Sequence, residues 1–162
     1  DSSKSLFVYC YEQLQVDTEQ RDHMALTKQR AAMLTAESDL ELIYNEMQQE
    51  PRHTRADPHY YEDMLSHYRL LSHYLCLLLP LVRAGTHYQG SPQVERLIHD
   101  AMDALISTIR DNRVHELPAL SNKTDADHPS SRAGQRSVEE IIWLALMTIK
   151  QMHDLVRRNL KD

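Results

Sequence analysis

Ten histidines and two cysteines are the residues of this 162-residue chain whose types best suit chemistry. Three of the histidines sit beside tyrosines in one helical stretch, as His59-Tyr60, His67-Tyr68 and His73-Tyr74. His67 and His73 are six apart and so point away from any common face. Asp63 and His67 are four apart, share a face, and suit a hydrogen bond or a shared metal. No His-Glu-x-x-His pattern supports a metal reading, and no metal site is expected. His99-Asp100 and His153-Asp154 are adjacent pairs whose side chains diverge on a helix, which makes poor acid–base dyads. With three glycines in all, there is no Gly-rich phosphate loop. Cys10 and Cys76 belong to no CxxC or Cys/His spacing and read as buried free thiols in a reducing compartment. No catalytic residue, cofactor or enzymatic activity is expected.

The remaining candidates are basic. Arg52, His53, Arg55 and His59 crowd one inter-helix loop, and Arg30, Arg69 and Arg83 lie on the neighbouring helices. Guanidinium groups hold carboxylates in two-point geometry, so Arg52, Arg55, His59 and Arg69 form a candidate contact for an anion or aromatic acid. The simpler reading is a solvated basic rim balanced by Glu50, Asp57 and Glu62. Arg157, Arg158 and Lys161 suit the negative end of a last helix and need no partner. The net charge of -6 argues against nucleic acid as a partner.

The elements that must position these residues are helices. Few glycines, one phenylalanine and many straight-chain residues make a helical balance. One domain is expected over residues 1–162, with helices over 3–49, 57–84, 92–112 and 138–160 and a mobile loop over 117–136. In the first, Leu26, Met33, Leu40 and Met47 recur every seven positions, with Ala36 and Ile43 between them, giving a stripe for a partner helix. Residues 17–22 are polar all round, yet no Gly or Pro interrupts them, so one continuous helix is expected. Pro51 ends it. Asp57-Pro58 and Ser91-Pro92 are start signals, Gly85 is a stop, and Pro80 is expected to kink or shorten the second helix. Ser137-Val138-Glu139-Glu140 reads as a capping box. The fourth helix has a wide apolar face (Ile141, Ile142, Trp143, Leu144), suiting either a broad core or self-association. The seven methionines mostly fall on apolar stripes and suit core packing. The fold class is therefore all-α, an antiparallel four-helix bundle with a long first helix.

No signal peptide is read in residues 1–16. The longest apolar run, residues 75–82, is far short of the roughly 20 residues of a membrane span. The chain opens without an initiator methionine and reads as a piece of a longer protein.

Gln29-Arg30-Ala31-Ala32, Ala36-Glu37, Leu40, Met47 and Glu50-Pro51-Arg52, followed by Tyr61, Leu65, Arg69, Leu70 and Leu75, resemble the cytoplasmic helical domain of the FUSC family. These are the fusaric acid resistance and aromatic acid exporter proteins of bacterial inner membranes. The resemblance covers about residues 25–85, and the later helices agree in kind but carry no matching motif. It implies a soluble domain on the cytoplasmic side of the inner membrane, with an assembly or regulatory role in efflux of aromatic or other organic acids. The implied partners are the membrane-spanning part of the same protein, a second copy in a homo-oligomer, and an organic-acid ligand. It transfers no catalytic residue. The alternative is a free-standing helical interaction or signalling module.

Overall fold

The structure, a computed structural model, describes residues 1–49, 57–120 and 133–160. Among the described residues every regular element is helical: α1 (Ser2–Gln15), α2 (His23–Gln49), α3 (Pro58–Arg83), α4 (Pro92–Asp111) and α5 (Ala133–Asn159), with a single 3₁₀ turn at Thr18–Gln20. The all-α class follows from the sequence as expected. The long first helix does not, because the chain divides into α1 and α2.

The break is made by side chains rather than by glycine or proline. Asp22 caps α2, its Oδ1 accepting the Ala25 N–H at 2.9 Å. Gln13 Oε1 accepts the Asp22 N–H at 2.8 Å, which folds the end of α1 back onto the start of α2. Between them, buried Arg21 reaches across to the end of α3. Its Nη1 donates to the Val82 carbonyl and its Nη2 to the Thr86 carbonyl, each at 2.6 Å, while Nε donates to the Val16 carbonyl at 3.3 Å. The six polar residues 17–22 bear no apolar stripe, so a continuous helix there would gain little from packing. Ending two helices and satisfying a third helix's carbonyls gains more.

That third terminus was legible. α3 starts at the Asp57 cap, whose Oδ1 accepts the His59 N–H, with Pro58 in its first turn. It passes through Pro80 to Arg83 and closes in a Schellman turn: Thr86 N–H to the Leu81 carbonyl and Gly85 N–H to the Val82 carbonyl, with Gly85 at φ 79°. Thr18 packs against Gly85, so the break between α1 and α2 seats directly on the end of α3. α4 opens at Ser91, whose hydroxyl accepts the Val94 N–H, and closes at Asn112 in the left-handed region.

Tertiary hydrogen bonds give the helix directions. Ser3 meets Tyr68 and the Leu14 carbonyl meets the Tyr88 N–H, so α1 and α3 are parallel. Lys4 pairs with Asp103 and Tyr11 donates to the Ser91 carbonyl, so α1 and α4 are antiparallel. Thr108 meets His153, and Glu139 lies within electrostatic reach of Tyr88, so α4 and α5 are parallel. It follows that α3 and α5 are antiparallel. α1, α3, α5 and α4 surround one core in that order, and α2 lies outside, against α1 and α3. The expected uniformly antiparallel bundle is thus corrected to five helices with two parallel neighbour pairs. α1 and α3 are parallel because α2 runs back between them, and the long connection after α4 lets α5 run parallel to α4 where a short loop would force it antiparallel.

Two boundaries near that connection also differ from expectation. α5 begins at Ala133, a turn before the Ser137 box, because Ala, Gln and Arg are strong helix formers and outweigh Gly134. Leu117 and Leu120, expected in a loop without apolar pattern, pack against the core. The rest of the expected mobile loop, residues 121–132, lies outside the described residues. The wide face of α5 is used within the chain: Ile142, Ala145, Leu146 and Ile149 are buried between α3 and α4, and Leu144 is left exposed.

Candidate interaction surface

The stripe of α2 is filled along only half its length. Leu26 and Met33 are completely buried, but Leu40 is 37% exposed and Ile43 50% exposed. Ala36 and Met47 are half-buried. The cause is the register of α1. Tyr68 Oη accepts from Ser3 Oγ at 3.0 Å and donates to the Met33 carbonyl at 3.5 Å, which fixes the first turn of α1 level with Met33. Past that level, among the described residues, α2 keeps α3 beside it through Arg69, and α1 has ended. The stripe continues for about three more helical turns, on the 5.4 Å pitch, with one side in water.

The other flank of this two-helix arm is closed. Arg69 of α3 pairs with Glu41 at 2.8 Å and with Glu37 at 3.7 Å on α2. The floor is apolar and aromatic: Met64 is half-buried and Leu65 buried, with Tyr60 and Tyr61 in edge contact at 5.0 Å. At the same end of the bundle, Ile109 of α4 is 52% exposed, beyond the point where Lys4 of α1 meets Asp103. Exposed apolar residues on one helix face, continuous with a buried seam, are a helix-binding arrangement.

The two described members of the candidate anion contact, His59 and Arg69, lie apart. Arg52 and Arg55 lie outside the described residues. His59 is exposed on the first turn of α3, and Arg69 is ten residues further along, about 15 Å at 1.5 Å per residue. Arg69 is also engaged by two carboxylates, which leaves its charge compensated. His67 uses Nδ1 on the Asp63 backbone carbonyl at 2.7 Å, not on the Asp63 carboxylate. Among the described residues, no three His, Cys, Asp or Glu side chains converge to hold a metal ion.

A buried polar cluster joins the ends of α4 and α5, and nothing in the local residue pattern marks it. His153 Nε2 lies 2.7 Å from the His115 carbonyl and 3.3 Å from Thr108 Oγ1, while Thr108 Oγ1 accepts the His115 N–H at 3.0 Å. The His115 ring sits 2.9 Å from Asp111 Oδ2, near enough for an ion pair but misaligned for a hydrogen bond. The hydrogen bond from Arg110, with the nearby His115 ring adding to it, holds the Asp111 carboxyl below the usual carboxylate range against partial desolvation. His153 and Thr108 spend these contacts on the backbone of His115, so the cluster reads as a clasp on the chain leaving α4. His153 and Asp154 turn to different partners, the latter to Lys150 at 3.1 Å.

Cys10 and Cys76 are free thiols. Burial, with the neighbouring Cys76 adding to it, pushes the Cys10 thiol up to about 12, which makes it a poor nucleophile. Among the described residues, no helix is long and apolar enough to cross a membrane. Comparisons with protein-family models, curated proteins and solved structures returned no match to this chain, so the resemblance over residues 25–85 stands on its residues alone.

Proposed function

We propose that this chain is a helical protein-binding domain rather than a catalyst, and that it serves assembly or regulation of an inner-membrane exporter of aromatic or other organic acids. The observation that carries the binding role is the half-filled stripe of α2. Leu40 and Ile43 are regularly spaced continuations of a buried seam, and covering them with a partner contributes about 1 kcal/mol each. The exporter setting is supported by the resemblance, whose residues (Gln29 to Leu75) include this arm. An organic-acid ligand has less support, since Arg69 is already paired within the arm.

The test is photo-crosslinking in cells, with a photoreactive residue placed at position 43 and, as control, at Lys28, exposed on the core-packed half of α2. A protein adduct from position 43 but not from 28 is expected. Adducts from neither, or equally from both, set the binding role aside. The exporter setting has its own check: the flanking coding sequence should encode about five or six apolar spans. Absence of such spans leaves the free-standing interaction module as the reading.

A further inference from the structure

We infer that the exposed seam of α2 receives an amphipathic helix whose apolar stripe is flanked by lysine or arginine, supplied by another polypeptide. The inference rests on the binding role above and adds the chemistry of the partner.

The seam has the spacing of a two-helix coiled coil. Met33, Ala36, Leu40, Ile43 and Met47 alternate steps of three and four. α1 already covers the first part as a helix, and the exposed part continues the same seam from the level of Met33 onward. The occupant that fits such a seam is therefore helical.

The flanking charges decide which helix. Asp39 and Glu46 each precede a seam residue by one position, on the flank away from Arg69. Both are exposed, and neither pairs with a basic side chain among the described residues. On the opposite flank, Glu37 and Glu41 are already held by Arg69. Flanking positions choose partners in coiled coils through interhelical ion pairs. A second copy laid antiparallel on this seam brings Asp39 and Glu46 against the same two carboxylates of its partner. A parallel copy brings Asp39 against Tyr44, five residues on in the partner, and offers it no basic group. Both arrangements repel or gain nothing, so this seam is not a self-association surface. An anionic lipid surface is disfavoured by the same acids. A helix with basic flanks fulfils the unpaired carboxylates and fills the stripe together.

The probes are two synthetic helices of about three heptads with identical leucine and isoleucine seams, one flanked by lysine and the other by glutamate. Binding to the full 162-residue chain is read by fluorescence anisotropy at low salt. The lysine-flanked helix should bind about tenfold tighter, the size of two interhelical ion pairs. D39K combined with E46K should reverse the preference. I43S should weaken both helices while leaving the circular dichroism unchanged, because Ile43 is half exposed in the free chain. Equal binding of the two helices, or a preference that survives the charge reversal, overturns the basic-partner inference while the crosslinking result still judges the broader binding role. Three other outcomes overturn it as well. One is sedimentation as a dimer that I43S dissolves. Another is tight binding to phosphatidylglycerol vesicles that I43S abolishes. The third is burial of position 43 within the full-length polypeptide without any partner.

Discussion

At the scale of single residues, Arg21 shapes this molecule more than any other polar side chain. It is 7% exposed, pairs with no carboxylate among the described residues, and spends its donors on three backbone carbonyls. Burial lowers its pKa, but an arginine starts so high that it stays charged. A cation at the carboxyl end of α3 also meets the negative end of that helix. Arg21→Met keeps much of the packing and leaves the Thr86 carbonyl without its donor, so a loss of about 2–3 kcal/mol is expected, read as a lower urea midpoint at unchanged slope. Arg21→Lys should fall between, since a single ammonium cannot span Val82 and Thr86 in the same way. A change within about 0.5 kcal/mol for the methionine variant contradicts the clasp. Gly90 is the second such residue. A Cβ there would lie 1.9 Å from Tyr11 Oη, the hydroxyl that donates to the Ser91 carbonyl. Gly90→Ala must push the Tyr11 ring off its seat, where it also meets Tyr88 edge-on at 5.9 Å. A loss of about 1–3 kcal/mol is expected, and Tyr11→Phe should recover little, because the ring itself is in the way.

At the scale of elements, the two halves of α2 differ in what holds them. The first half is fixed by Leu26 and Met33 in the core, the second by α3 and by two exposed ion pairs to Arg69, which are individually weak. Amides of residues 40–48 should therefore exchange with solvent about tenfold or more faster than those of 27–34, and uniform protection along α2 contradicts the arm as described. This element also marks where sequence reading stops. The stripe from Leu26 to Met47 and its period were legible, as were the Asp57, Ser91 and Gly85 punctuation marks, because each depends on local chemistry. That the stripe is covered only as far as Met33 was not legible, since amphipathicity shows that a helix has a partner and not where the partner ends. The break before α2 is not legible for a related reason. Asp22 is an ordinary cap, but nothing local tells a capping aspartate from a surface one, and Arg21 finds its carbonyls some sixty residues away. The start of α5 is hard to read because the box at Ser137 is a stronger local signal than the plain run of helix formers before it. The candidate anion contact gathered residues by their nearness in sequence, and helix geometry sets His59 and Arg69 apart.

At the scale of the whole molecule, two parallel neighbour pairs around one core place α1 between α3 and α4 and bury the aromatic and thiol groups of its inner face. That burial governs behaviour at high pH. Cys10 is held up to about 12 by burial first and Cys76 second, and Tyr88 to about 12 by burial first and Glu139 second. Tyr11 and Tyr68 shift upward too, with burial again the largest cause. Each is an acid that binds its proton more tightly folded than unfolded. The stability this represents is fully present below the unfolded values, about 8.5 for a thiol and about 10 for a phenol, and is lost as pH rises through the folded values. The urea midpoint should thus stay level from neutrality to roughly pH 8.5, decline gently as the Cys10 thiol of the unfolded chain ionises, and fall steeply between about pH 10 and 12 as unfolded phenols ionise. Cys10→Ala should remove part of the gentle decline and Tyr88→Phe part of the steep one, because each deletes one proton from the difference between states. Both variants lose some packing, so the comparison is of slopes against pH, not of midpoints. A midpoint level up to pH 11 would mean that these groups ionise as readily folded as unfolded, and that the inner face of α1 is open to water.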